Sequence, residues 1–206
     1  MSSRDFKKEW FEKSKIDYHS PFLTLWLSCN SWYNFHYGLD KDRKNIDEIK
    51  KDVTYKNKIY HNFKNFLESN NPKDKANIYN SIEQLHYALI QAELEYSGNN
   101  IPNGSKINLN TVLLDYQSSP KKIENLIIDN AKTQSGKLKK NHQNAHDLGT
   151  LVLIGDTEKI FAGIFEIIYQ VRCHLVHGSL KPNPENHEVV KYCYLILFDC
   201  LKGFCE

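Results

Sequence analysis

The chain has 206 residues, of which 40% are hydrophobic and 25% charged, and its formal net charge is +2. This composition favours one folded domain over residues 1–206, while it excludes gross disorder and a strong non-specific field for nucleic acid. No apolar run approaches the roughly 18 residues of a membrane span, and the polar N-terminus lacks a signal-peptide core, so we expect a cytoplasmic protein without membrane contact.

The first half of the chain has apolar residues at helical spacing. Residues 21–37, 44–68 and 75–96 each repeat apolar side chains at steps of three and four, which predicts three helices. Pro21 suits the first turn of the first helix. The second of these helices is expected to be highly charged on its outer face.

The middle of the chain is harder to assign. Residues 106–114 partly alternate between apolar and polar, which fits either a short strand or an extended loop. A helix is predicted over 120–134. We therefore expect two loop-rich insertions, at 97–120 and 135–156, within an otherwise helical domain.

Two further helices are predicted near the C-terminus. Asp156 can cap a helix over 157–177, and Gly178 can end it. A last apolar helix is predicted over 185–203. Together the segments indicate an all-α fold, a helical bundle.

The helix over 157–177 combines a core stripe with a second, partly apolar face. On a helical wheel the core stripe holds Ile160, Phe161, Ile164, Ile167, Ile168, Val171 and Leu175. The opposite side holds Phe165, Tyr169, Arg172, Cys173, Val176 and His177. A helix that is apolar on two sides contacts something on both, either another helix of the same chain or a second copy of the chain.

The polar members of this second face suggest chemistry. His177 can take or give a proton near neutral pH, and Arg172 can hold a phosphate and stabilise developing negative charge. The pair therefore suits phosphodiester cleavage in RNA, where the 2′-hydroxyl is the nucleophile. Arg172 and His177 point about 140° apart on an ideal helix, so they converge only if the last turn bends or a second subunit contributes.

The same residues resemble a known family. Residues 172–177 match the Arg-x4–6-His signature of the HEPN superfamily, and the string 168–178 is similar to a form frequent in it, "QVRxxLxHG". Residues 26–33, with Trp26, Asn30 and Tyr33, resemble the first-helix pattern of some members.

The resemblance implies a HEPN-like bundle of about five to seven helices and a metal-independent endoribonuclease that needs no cofactor. Such domains form homodimers with a composite active site and commonly act as toxins or in antiviral defence, with an antitoxin or regulatory partner possible. Arg172 and His177 would be catalytic, and four residues would support them: Cys173, His174, Asn30 and Tyr33.

Two other interpretations remain open. The first is a non-catalytic HEPN module that binds RNA, a nucleotide or a protein; the modest net charge favours it, and so does Cys173, which stands where the family usually has a polar residue. The second is a purely structural helical protein in which Arg172 and His177 are incidental.

Three other sets of residues carry weaker signals. Lys137, Lys139 and Lys140 form a basic run that either contacts the RNA backbone or is solvated surface. His142 and His146, with Asp147 next to them, have metal-compatible spacing but no persuasive further ligand, so no metal is expected. The five cysteines lack paired spacing and are expected to be reduced thiols.

Overall fold

The computed structural model describes Phe11 and residues 15–97, 101, 104–115 and 122–204. The described helices are α1 (His19–His36), α2 (Asp42–Lys51), α3 (Lys58–Leu67), α4 (Pro72–Ala92), α5 (Thr157–Val176) and α6 (Pro184–Leu201). Two antiparallel pairs of short strands accompany them: β1 (Val112–Asp115) with β2 (Lys122–Glu124), and β3 (His146–Asp147) with β4 (Val152–Leu153). The predominantly helical character predicted from the sequence is confirmed, although the fold is not purely helical.

Two helices organise the core. The C-terminal helix α6 packs against α1, α3 and α4, and α5 packs against α2 and β1. The largest fully buried side chains are aromatic, namely Trp26, Tyr33, Phe22, Phe63, Phe161 and Phe165. None of the described helices has both the length and the apolar content needed to cross a bilayer.

The single helix predicted over 44–68 is wrong, because the chain turns between α2 and α3. The Asp52 carboxylate accepts hydrogen bonds from the backbone and hydroxyl of Thr54, at 2.9 and 2.6 Å. Buried Asn57 accepts from the Tyr60 amide and donates to the Ile49 carbonyl, which caps α3 and closes the turn. These short polar side chains compete with the helical backbone for hydrogen bonds.

The helix predicted over 120–134 is also wrong in its described part. Residues 122–124 pair with β1, and the next backbone bonds go to other segments: Leu126 bonds to Leu109, and Ile128 bonds to Val152. Asn130 then adopts a left-handed conformation with φ of 54°. Non-local pairing has therefore replaced the helix that the apolar spacing favoured.

The ambiguous segment 106–114 contains both predicted states. It begins as a loop and enters β1 at Val112, whose side chain is fully buried. Residues 116–121 lie outside the described part. In the second insertion, Lys140–His142 form a 3-10 turn that precedes the β3–β4 hairpin.

Of the described cysteines, Cys173, Cys193 and Cys200 are free thiols. Cys29, Cys193 and Cys200 are buried in the core, and burial raises the pKa of the Cys200 thiol well above its ordinary value. Cys205 lies outside the described residues.

Candidate functional site

Helix α5 begins and ends where its sequence predicts. The Asp156 carboxylate accepts a hydrogen bond from the Lys159 amide at 3.0 Å and caps the helix. At the other end Gly178 has a φ of +68°, and the Ser179 and Gly178 amides bond back to the carbonyls of His174 and Leu175. This is a Schellman ending, in which glycine supplies the left-handed residue.

The second face of α5 is covered by α1 of the same chain along much of its length. The Trp26 ring lies 6.3 Å from Phe165 and 6.0 Å from Tyr169, measured between ring centroids. Further along, Val176 is 50% exposed, and His177 is exposed as well. Leu175, predicted to lie in the core, is only partly buried. The end of α5 is therefore the part of this face that has no cover from the described chain.

Arg172 lies at the boundary between the covered and open parts of this face. Its Nη2 donates to Oδ2 of Asp42, at the start of α2, over 3.2 Å. Its guanidinium lies over the Trp26 ring, 5.6 Å from the centroid. Its Nε is buried and has no hydrogen-bond partner among the described residues. The guanidinium thus retains donor capacity that Asp42 does not use.

Asn30 and Tyr33 are connected to Arg172 through Asp42. Asn30 Nδ2 donates to the Tyr33 hydroxyl over 2.6 Å, and this hydroxyl donates to Asp42 Oδ1 over 3.0 Å. Asn34 in turn donates to Asn30 over 2.7 Å. Burial raises the pKa of Tyr33, and the nearby Asp42 carboxylate raises it further. The hydroxyl therefore keeps its proton and remains a hydrogen-bond donor. The sequence singled out Asn30 and Tyr33 but not Asp42, which links them to α5.

His177 is the last residue before Gly178, and its side chain points into solvent. Its amide bonds to the Cys173 carbonyl over 3.0 Å, so the helical hydrogen-bond pattern continues up to His177. Because α5 stays regular between Arg172 and His177, the two side chains of one chain diverge by about 140°. A bent last turn is therefore not how this structure could bring them together.

His174 has a structural environment. Its Nε2 lies 2.7 Å from the Glu95 carbonyl oxygen and must donate to it, because a carbonyl can only accept. Its Nδ1 lies 2.9 Å from the Ser179 hydroxyl. The ring therefore ties the end of α5 to the segment after α4. Next to His174, Cys173 lies beside Tyr169. Burial raises the pKa of Tyr169, and the nearby Cys173 thiol raises it further.

A buried ion cluster joins α2 to α5 on the N-terminal side of Arg172. Arg43 holds the Glu166 carboxylate with two hydrogen bonds, one of them 2.9 Å from Nη1 to Oε1. Lys50 binds Glu166 Oε2 at 2.6 Å and the Leu114 carbonyl at 2.9 Å. Gln170 donates to Glu166 over 2.9 Å, and Asp47 pairs with both Arg43 and Lys50.

The charges of this cluster balance, with Arg43 and Lys50 opposite Asp47 and Glu166. Burial alone would raise the pKa of Glu166, but the hydrogen bonds and charges of Arg43 and Lys50 outweigh it and lower that pKa. The cluster fixes α2 on α5 and so places Asp42, the first residue of α2, opposite Arg172. The sequence signal was Glu166, a carboxylate inside an otherwise apolar helix.

The predicted basic run lies in a different part of the fold. Lys137, Lys139 and Lys140 are exposed, in the turns that precede the β3–β4 hairpin. Within the described residues, no hydrogen bond or ion pair joins these lysines to Arg172 or His177.

His142 and His146 do not combine with Asp147 into a ligand set. The His146 Nδ1 lies 3.0 Å from the Tyr79 hydroxyl, while Asp147 pairs with Lys132 at 2.7 Å. Burial lowers the pKa of His146, and the positive charge of Lys75 lowers it further.

Comparison with known proteins found no match. No family model, no curated protein and no solved structure matches this chain.

Proposed function

We propose that this protein is a metal-independent endoribonuclease of the HEPN type that works as a homodimer and cleaves RNA by attack of the 2′-hydroxyl. The observation that carries the proposal is the end of α5, where the Arg172 side chain is 18% exposed and binds Asp42 through Nη2, and where His177 is exposed five residues later. The resemblance of residues 168–178 to that family supports the same conclusion. A role as a toxin or in antiviral defence, under the control of an antitoxin or regulatory partner, follows from the resemblance.

Arg172 would bind the scissile phosphate. Asp42 engages Nη2, and among the described residues no hydrogen bond engages the other terminal nitrogen, Nη1. An arginine can give two parallel hydrogen bonds to phosphate oxygens, and these strengthen as negative charge develops in the transition state. Asp42 would then act as a positioning residue, supported by the Tyr33 and Asn30 hydrogen bonds.

His177 would move the protons. It would take the proton from the 2′-hydroxyl or give one to the leaving 5′-oxygen, and its exposure leaves it open to substrate. The products would carry a 2′,3′-cyclic phosphate and a 5′-hydroxyl. No cofactor is required, because the substrate itself supplies the nucleophile.

A dimer would bring together an arginine and a histidine that lie too far apart on a single chain. Because Arg172 and His177 diverge on a regular α5, a twofold axis beside its end would set the arginine of one subunit near the histidine of the other. Exposed apolar side chains occur on both helices that carry the site: Leu27 is 67% exposed, Phe35 is 91% exposed and Val176 is 50% exposed. Such side chains favour an interface with another protein surface.

A non-catalytic HEPN module is the second candidate. The ion pair between Arg172 and Asp42 favours it, because a carboxylate already occupies part of the guanidinium. In that case the same surface would bind RNA, a nucleotide or a protein without cutting RNA.

The first experiment is cleavage of single-stranded RNA in excess chelator. We expect wild-type protein to cut, and Arg172→Ala and His177→Ala each to lose about 10²–10⁴-fold in rate. His142→Ala is a matched control, since it removes a histidine from another part of the fold. Cleavage that persists in both site variants would refute the nuclease assignment, and RNA binding without cleavage would support the second candidate.

The second experiment tests the composite site. A purified heterodimer of Arg172→Ala and His177→Ala subunits contains one intact arginine and one intact histidine on opposite chains. If each site takes one residue from each subunit, the heterodimer should recover about half of the wild-type activity, because one of two equivalent sites is complete. An inactive heterodimer would refute the shared site even if the wild-type protein cuts RNA.

A further inference from the structure

A group of metal-ligating side chains lies away from the α5 site. Asp17 precedes α1, His19 is the first residue of α1, and His187 lies in the first turn of α6. One potential ligand atom from each residue lies within 4.8 Å of the other two. Within the described part of the chain, this is the one set of three such residues that converges in this way.

Local contacts hold these side chains in place. The Asp17 carboxylate accepts from His19 Nδ1 over 2.6 Å and from the His19 amide over 3.0 Å. The His187 Nε2 accepts from the Tyr18 amide over 3.3 Å, so this nitrogen faces the segment that carries the other two residues. The His19 and His187 rings lie 5.4 Å apart.

The ligand types suit a cation. Asp17 contributes an exposed carboxylate, whose oxygen now accepts from His19. The His187 Nε2 is unprotonated, because it accepts a hydrogen bond, and a metal ion there would take the lone pair that now accepts from the Tyr18 amide over 3.3 Å. An anionic oxygen and two imidazoles are ligands that zinc commonly takes in proteins.

We propose that Asp17, His19 and His187 bind one first-row divalent transition-metal ion, with Zn²⁺ the best match. Three protein ligands with water in the fourth position form a tetrahedral arrangement. Ligand atoms of such a site lie about 3.3 Å apart for bonds of about 2.0 Å. The Asp17 oxygen and His19 Nδ1 are 2.6 Å apart, so they must separate by about 0.7 Å and Nδ1 must lose the proton that it donates to Asp17. Both residues lie on the surface segment at the start of α1, where the side chains have room for this adjustment.

The surroundings allow an ion to enter. Two open clefts of about 430 and 450 Å³ adjoin His187, and Lys15, Ile16 and Glu188 line both of them. The first turns of α1 and α6 direct positive dipole ends towards the site, which opposes a cation. The Asp17 charge offsets this effect, whereas the Glu188 carboxylate, 4.0 Å from His187 Nδ1, is already paired with Lys191 over 2.9 Å.

The bound ion would join the segment before α1 to α6. Because the site shares no residue with Arg172 or His177, the proposal is independent of the proposed RNA cleavage. It predicts a metal that stabilises the fold without taking part in the chemistry.

The test is zinc titration of untagged protein that has been stripped with chelator and desalted, followed by calorimetry or a competing chromogenic chelator. We expect one equivalent of Zn²⁺ to bind, and affinity to fall at least about tenfold in His19→Ala, His187→Ala and Asp17→Asn. His142→Ala, the matched control, should bind as wild-type does. Substoichiometric binding, or unchanged affinity in both His19→Ala and His187→Ala, would overturn the site.

Two further readouts distinguish zinc at these three residues from zinc bound elsewhere on the chain. Zn²⁺ should raise the melting temperature of the wild-type protein but not that of His187→Ala, since a ligand that binds only the folded state stabilises it. Zinc binding that survives in His187→Ala but disappears on alkylation of Cys173 would assign the ion to thiols and overturn the proposal. Circular dichroism of each variant checks that it is folded, and RNA cleavage in chelator should not change in any of them.

Discussion

The buried carboxylate of Glu166 offers a strong test of how this fold is held together. In the Glu166→Gln variant the side chain keeps its size but loses its charge. Glu166 is fully buried and accepts hydrogen bonds from Arg43, Lys50 and Gln170. With the charge removed, Arg43 and Lys50 lose the carboxylate that they share, and the buried cluster loses one of its negative charges.

The expected loss is large for one isosteric change. Removing one partner of a buried ion pair costs about 3–5 kcal/mol, a large part of the roughly 5–15 kcal/mol that stabilises a typical domain. For a chain of this length each kcal/mol lowers the melting temperature by about 2–4 °C, so we expect a fall of about 6–20 °C.

The assay is thermal and urea unfolding followed by circular dichroism. Glu158→Gln is the matched control, because Glu158 is exposed and lies in the first turn of the same helix. Its loss should stay within about 1 kcal/mol, the worth of a charge near a helix end. A loss below about 1 kcal/mol in Glu166→Gln, or one equal to that of the control, would refute the role given to the cluster.

Two more predictions concern the end of α5 and the response to acid. Gly178→Ala should cost about 1 kcal/mol in unfolding free energy, because a Cβ is strained at a φ of +68°; a neutral effect in urea unfolding would contradict the Schellman ending. Burial lowers the pKa values of His86 and His146, and Arg43 and Lys50 help to lower that of Glu166 below its ordinary 4.5. Since groups with lowered folded-state pKa values bind more protons when unfolded, stability should fall first below about pH 6.5 and again below about pH 4.5; a urea midpoint that rises between pH 6.5 and 5 would contradict this order.

Part of the candidate site could be predicted because its signals are local. Asn30 and Tyr33 share one side of α1 by their spacing, and their hydrogen bond follows from it. Asp42 could not be found in this way, since an acidic residue in a first helical turn is common whether or not it has a distant partner. Its contact with Arg172 spans 130 positions in the chain.

The incorrect helix prediction over 120–134 has the same physical origin. The apolar residues of 122–128 are compatible with a helix, but Leu126 is buried against α5, where its Cδ1 would lie 2.6 Å from a Cβ at Gly163. That docking requires an extended backbone whose hydrogen bonds go to Leu109 and Ile154. Helical spacing shows which residues could be buried on one face. Tertiary packing determines whether the backbone that carries them is helical or extended.

The sequence by itself determined α5, because its apolar stripe, the cap at Asp156 and the glycine at 178 act through residues a few positions apart. It also placed Arg172 and His177 at the end of that helix. Only the tertiary structure decided what surrounds them: the Asp42 carboxylate opposite Arg172, the ion cluster around Glu166 and the exposure of His177. The first two features depend on the charges that α2 presents to α5 across more than a hundred residues, and no local sequence pattern specifies a contact between segments so far apart in the chain.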